Sequence, residues 1–401
     1  MVPRLLAVCL VAMSIMLAAT GCWDIQYLDK LGVVMAIGVD KDHSGKHRFK
    51  ITVQTVLPQN AVGVKGGDGS PVMTLSDTGD TLFEAMRKMS AKTSRRLYFS
   101  HTQLLLISEE VAREGIYPIM DLIERNSNVR SDISVMITRG LRAEQLLQIQ
   151  TQMESIPANQ MKDSVVINQK VYGKTYNVQV RDIAHLSESA GMQAAVPAIG
   201  IDGLADAGNS KKSVDVISMK VKPELKAMAV FRNGKLRGYL TPEQSRGLAW
   251  IQNKIKNTAV KQRCRKDKGH YIIEVIKSDT KIKARKGDNG LPLIEIEVRL
   301  KAAMHEVVCP DMHVHDEAML RQMEKKLDET VEAEIMNAIH KVQKELGADA
   351  LGWGVATYHY QPKLWKQLYR DWEHVFPDVP SRVKCISEII STGVRSDTIP
   401  Q

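Results

Sequence analysis

Apolar residues recur along this chain with two different periods, and each period predicts its own kind of element. Over residues 47–57 they alternate: Phe49, Ile51 and Val53 point one way and Lys50, Thr52 and Gln54 the other, which predicts a half-exposed strand. A second strand is predicted over 31–40, and the turn-rich stretch 41–46 joins the two as a hairpin. Leu82, Ala85, Met86 and Met89 fall at helical spacing, with Asp80 or Thr81 as N-cap, after a loop at AVGVKGGDGS, residues 61–70. Short buried strands are predicted at 104–107 and 133–138. Between them a helical pattern over 111–125 is broken near Gly115 and Pro118, and 141–186 reads as several helices.

In the second half, Leu225–Arg232 and Leu236–Leu240 flank Asn233-Gly234, a strong hairpin signal. Pro242 opens a helix running through Trp250, and strands are predicted at 271–278, 281–285 and 292–303. The clearest element is a helix over 316–346, with Leu320, Met323, Leu327, Val331, Ile335, Ile339, Val342 and Leu346 on one stripe and Gly347 as its stop. At ~1.5 Å per residue it would be roughly 45 Å long. One such stripe predicts a helix lying across a sheet, with a coiled-coil partner as the alternative. The Gly-, Asp- and Ser-rich stretch 200–213 has no periodicity and is expected to link an N-terminal domain (22–199) to a C-terminal one (214–395). Helices and strands are interspersed without strict βαβ alternation, so the expected class is α+β, each domain a mainly antiparallel or mixed sheet with packed helices.

Composition adds a compartment. With 44% hydrophobic and 25% charged residues the 401-residue chain is an ordinary folded protein. Its formal charge of +9 favours anionic partners. Zinc-finger spacing is missing and aromatics are only 5%, which argues against nucleic acid and for a membrane surface. Leu5 to Ala19 is an apolar run of 15 residues behind Arg4. That is short of the ~20 needed to span a bilayer and fits the core of a signal peptide over 1–21. The signal ends Ala19-Thr20-Gly21-Cys22: small residues before a cysteine form a lipobox, in which the thiol takes a diacylglyceryl group and the chain is cut so that Cys22 becomes its first residue. An ordinary small-x-small cleavage site is the alternative, and Ala19 stands where Leu is more usual. Two or three acyl chains, at ~0.8 kcal/mol per buried CH₂, would anchor the protein stably.

Beyond that covalent lipid, no cofactor is expected. Setting Cys9 and Cys22 aside leaves Cys264, Cys309 and Cys385; a Cys264–Cys309 pair is one arrangement, and three unpaired thiols the expected one. Cys309, Asp311, His313 and His315 would share a face of an extended chain and are all metal-ligand types, but the plainer reading is a polar loop in which Asp316 caps the long helix. Two basic segments, 261–268 (KQRCRKDK) and 281–286 (KIKARK), read as solvated surface, with anionic lipid as the alternative. Trp353, Trp365 and Trp372 read as core rather than as a sugar-binding platform. GxSxG, P-loop, HExxH, paired CxxC and Rossmann motifs are missing, and no nucleophile–base pair suggests an enzyme.

Several separated motifs converge: Gly21-Cys22-Trp23-Asp24, Gly38-Val39-Asp40, RRLYFSH (95–101), Ala195-Val196-Pro197, GYLTPEQSRGLAW (238–250), ADALGWG (348–354), and Trp365 and Trp372 before Phe376. Together they resemble the Ger(x)C family, the C subunits of nutrient germinant receptors in spore-forming Bacillota, along essentially the whole chain. The chain departs from the family pattern at Ala19, and at Leu351 and Trp353, where Phe is frequent. The resemblance implies a lipoprotein on the outer face of the spore inner membrane, assembled with a multi-spanning A subunit and a transporter-like B subunit. It implies mixed α/β domains with a long helix on a sheet, and no catalytic residues; only the lipidated Cys22 carries over. A secreted small-molecule-binding lipoprotein feeding a transporter is the alternative, and would need a cleft between two similar lobes.

Overall fold

The computed structural model describes residues 30–57, 70–188, 191–264, 269–309 and 316–392. The first of its two sheets contains β1 (Leu31–Lys41), β2 (Phe49–Val56), β3 (Val72–Gly79), β4 (Arg96–Tyr98), β5 (Leu104–Ser108), β6 (Ser134–Thr138), β7 (Ala195–Asp202), β8 (Lys222–Arg232) and β9 (Lys235–Tyr239). Their order is β3-β2-β1-β5-β6-β7-β8-β9, with β4 joined to the start of β1. The central strands β1, β5, β6 and β7 are parallel, and antiparallel hairpins extend both flanks. Helices cover both faces, which is why the central strands read as unbroken apolar runs. Leu105, Ile107, Val135 and Ile137 meet α1 (Leu82–Lys88), α2 (Glu109–Glu114) and α3 (Tyr117–Arg125) in one core. Leu104, Leu106 and Met136 point the other way, to α4 (Ala143–Leu147) and α5 (Pro157–Val171). A further helix, α6 (Val180–Glu188), buries Val180 and Ile183 in the first of these cores.

The second sheet has the order β10 (Thr258–Arg263), β11 (His270–Lys286), β12 (Pro292–Val308), β13 (Ser381–Ser391). Helix α7 (Pro242–Ile251) leaves β9 and crosses α8 (Glu317–His340), which lies on this sheet with Met323, Leu327, Val331 and Ile335 buried. Asp316 caps α8 by accepting from the Ala318 amide at 3.0 Å. A π-helical turn, Lys341–Leu346, continues α8 to Gly347, whose φ of +57° stops it where the sequence placed the stop. Then come α9 (Trp353–Tyr360), α10 (Pro362–Leu368) and α11 (Trp372–Val375). The class is α+β with two mixed sheets, and the long helix lies across a sheet.

Within the first sheet, β8 pairs with β7 from Ala195↔Val230 to Asp202↔Lys222 and carries the sheet on to β9, so the stretch after β7 returns to the same sheet. Two details differ from expectation. The strands expected at 271–278 and 281–285 are one strand: Ser278, Asp279 and Thr280 stay paired with Leu300, Arg299 and Val298, and bulges near 272 and 275–277 absorb the irregularity. Cys264 and Cys309 form a disulfide rather than remaining free thiols, and Cys385 is the buried free one. The reason is register. Arg263 and Val308 both pair with His270, so the next residues of β10 and β12 converge where β11 begins, their Cα atoms 5.9 Å apart.

At the α7–α8 crossing a Cβ on Gly247 would lie 2.3 Å from the Glu334 carbonyl oxygen. The helices meet backbone to backbone, and neither can retreat without dislodging buried Trp250. Gly247→Ala is therefore expected to lower unfolding stability by about 1–3 kcal/mol in urea titration. An unchanged midpoint would mean the crossing is looser than described.

Candidate functional site

Residues that carry the sequence motifs fall around three carboxylates, Asp40 and Asp349, which are buried, and Glu334, which is partly buried. Asp40, at the end of the Gly38-Val39-Asp40 motif, accepts from the Ala143 and Glu144 amides at 2.8 and 2.9 Å and so caps α4 from outside. Burial pushes its pKa up, and the two amides oppose that shift. Gly38 leaves room for the same helix, since a Cβ there would sit 2.9 Å from Leu147 Cδ1.

The GYLTPEQSRGLAW motif builds α7 and its crossing. Thr241 and Gln244 form a reciprocal capping box, and Ser245 Oγ accepts from the Met228 amide at 3.0 Å, tying α7 to β8. Arg246 makes a two-pronged pair with Glu334 of α8, with Nε to Oε2 at 2.9 Å, and also donates to the Ala259 carbonyl at 3.1 Å. Trp250 Nε1 donates to the same Glu334 oxygen at 3.2 Å.

Asp349, in ADALGWG, is the most enclosed of the three. It accepts from the amides of Gly352, Trp353 and Gly354 at 2.9, 3.1 and 2.8 Å, and from Trp372 Nε1 at 2.9 Å. It therefore caps α9 and pins the second tryptophan of the motif. Trp353 stacks edge-on against Phe376 and Trp365 against Trp372, all four buried, so these rings are core. Gly354 lies against Gly191, where a Cβ would come 2.4 Å from the Gly191 Cα.

RRLYFSH contributes β4, which pairs in parallel with Leu31, Gly32 and Val33, the first residues of β1. Beside it a cavity of about 140 Å³ is lined by Phe83, Arg87, Leu97, Tyr98 and Asn128. This is the end of the first sheet nearest Lys30, the first described residue.

Cys22 and its flanking Ala19, Thr20 and Gly21 lie outside the described residues, as do Asp311, His313 and His315. Cys309, the fourth candidate ligand, is bonded to Cys264, which removes its thiolate from any ligand set. Among the described residues no group of three or more His, Cys, Asp or Glu side chains converges to hold a metal, and no helix is long and apolar enough to cross a membrane.

The basic run at 281–286 is not a basic patch. Lys281 stands opposite Glu297, and Lys283 opposite Glu295; those in turn face Lys384 and Arg382 on β13. Arg285 adds a 2.7 Å pair with Glu295. The outer face of the second sheet is thus a lattice of alternating sign. The most exposed large apolar side chains include Met153 (88% exposed), Leu204 (81%) and Ile217. They sit on two loops held side by side, where Gln152 Nε2 reaches the Val214 carbonyl at 3.0 Å and the Gln150 amide the Gly208 carbonyl at 2.9 Å.

Comparison with known proteins gives the class. Residues 24–201 match the family described as spore germination protein N-terminal domain, and 226–393 the family described as spore germination B3/GerAC like, C-terminal. Spore germination protein KC of Bacillus subtilis (strain 168) is 29% identical over 401 residues, covering 98% of this chain and 97% of that one. Spore germination protein B3 of the same organism is 23% identical, covering 94% and 96%. The crystal structure of the GerBC protein shares the fold, with a TM-score of 0.57 at 18% identity, over 92% of this chain and 100% of that one. The chain belongs to the Ger(x)C family of spore germination proteins, the class of the germinant-receptor subunits. The boundary between its two family regions falls between β7 and β8, inside the first sheet.

Full burial raises the Asp349 pKa from 3.8 to about 6, against its four donors. Between those values the native state holds a proton that the unfolded chain has released. This carboxyl therefore stabilises the fold fully below about pH 4 and loses up to roughly 3 kcal/mol as pH rises past 6. Urea midpoints from pH 4 to 7.5 should fall in the native protein relative to Asp349→Asn, which has no group to titrate there. A native midpoint that rises with pH relative to the variant contradicts the assignment.

Proposed function

We propose that this protein is a non-enzymatic, lipid-anchored subunit of a nutrient germinant receptor. It sits on the outer face of the spore inner membrane, where it assembles with membrane-embedded A and B subunits. The observation that carries the reading is the position of β1. Cys22 precedes Leu31 by a tether of about eight residues, which at ~3.5 Å each spans at most roughly 30 Å. Leu31 then enters a strand bonded to β2, β4 and β5, so a lipid on Cys22 would hold the first sheet through one of its central strands. The Cys264–Cys309 disulfide suits an exported protein. A transporter-feeding binding protein with two similar lobes is disfavoured, because the two sheets differ in strand number and order.

The test is Cys22→Ala in the sporulating host. The expected outcome is a shift of the protein from the membrane fraction to the soluble one and a strong loss of the nutrient germination response. Membrane retention with normal germination would overturn the anchoring.

A further inference from the structure

Arg96 pairs with Leu31, so β4 stands beside the point where the chain enters the first sheet. Arg96 and Arg87 line the same cavity of about 140 Å³, together with Phe83, Leu97 and Tyr98, and its lining includes no Asp or Glu. Both arginines are exposed. Phe83 is 45% exposed, and the Arg87 guanidinium carbon lies 4.9 Å from the centre of its ring.

Charge pairing separates these two arginines from the cations around them. Lys88 closes on Glu84 at 2.6 Å, Lys92 on Asp77 at 3.1 Å, and Arg125 on Asp121 at 2.8 Å. Neither Arg87 nor Arg96 has a carboxylate partner among the described residues. The patch therefore presents two guanidinium groups without counter-charge next to an exposed aromatic ring. That combination suits a bilayer interface: guanidinium donates paired N–H groups to a phosphate, and aromatic rings settle at headgroup depth. The outer face of the second sheet is also rich in lysine, but there Lys281 and Lys283 stand opposite Glu297 and Glu295.

Position then decides the occupant. On the anchoring proposed above, on which this inference rests, the tether of at most roughly 30 Å from Cys22 ends at this patch. Strand β1 runs on from there for 11 residues, about 35 Å, so the far ends of the parallel strands lie a strand length beyond the attachment. A surface held that close to a bilayer has a high effective concentration against it, and a contact weak by itself becomes populated. We propose that Arg87 and Arg96, with Phe83 beside them, form a docking surface for anionic phospholipid. The first sheet rests on the headgroups through this end rather than hanging from its tether.

The experiment is co-sedimentation of the mature chain, residues 22–401, made without lipid as Cys22→Ala. The probes are vesicles of phosphatidylglycerol and of phosphatidylcholine at low salt, where surface charge is least screened. Leaving the lipid off separates the two claims, since this test reads the surface and the N-terminal modification reads the anchor. Binding to phosphatidylglycerol and not to phosphatidylcholine is expected. Arg87→Gln combined with Arg96→Gln should weaken it about tenfold or more. Lys281→Gln combined with Lys283→Gln removes the same charge from exposed positions on the second sheet and should change it less than about twofold. Absence of binding to anionic vesicles, equal binding to both lipids, or a loss in the arginine variant no greater than in the lysine variant overturns the docking surface.

Discussion

Everything in this molecule that must act together depends on one crossing, where α7 lies on α8 at Gly247 and Arg246 closes on Glu334. Helix α7 is the continuation of the first sheet through β9, and α8 is the long helix of the second sheet. Their backbones touch because residue 247 has no side chain, and the ion pair is enclosed, with Arg246 Nε to Glu334 Oε2 at 2.9 Å. Removing one member of such a pair leaves an uncompensated buried charge, typically costing about 3–5 kcal/mol. The pair therefore sets the register of the two sheets more than it adds net stability. One consequence is mechanical: an anchor ahead of β1, as proposed, would hold the second sheet as well as the first.

The buried carboxylates of Asp40 and Asp349 repeat that logic. Asp40 takes both its amides from α4, and Asp349 joins three amides at the start of α9 to the Trp372 indole, so each fixes a helix against something it would not otherwise find. The motifs by which this family is recognised are thus motifs of the fold. Function has to be sought at places the motifs serve without forming.

How much of this was legible in the sequence depended on how local the cause was. The helix at 316–346 was readable because a continuous stripe, a cap at Asp316 and a stop at Gly347 all lie within the segment. Asn233 and Gly234, with φ of 53° and 72°, likewise announced their own turn. Strands β3, β4, β7, β10 and β13 went unanticipated. At an edge, half the side chains face water, and β3 in particular (VMTLSDTG) carries little apolar signal. In β13, Val383 and Cys385 do alternate with Arg382 and Lys384, a signal that the neighbouring aromatic helices obscured. The Cys264–Cys309 bond follows from the register of β10 and β12 against β11, which spacing alone does not specify. Asp349 offered one clue, a single carboxylate in an otherwise small and apolar stretch, but the indole that completes it lies twenty-three residues on.

Membrane anchoring as proposed depends on one residue, Cys22, and on whether its thiol carries lipid. Its most direct test is the mass of the N-terminal peptide of the protein extracted from spore membranes. The account predicts a peptide that begins at Cys22 and carries a thioether-linked diacylglyceryl group. A chain that begins at Cys22 with an unmodified thiol, or that still carries residues 1–21, would contradict it.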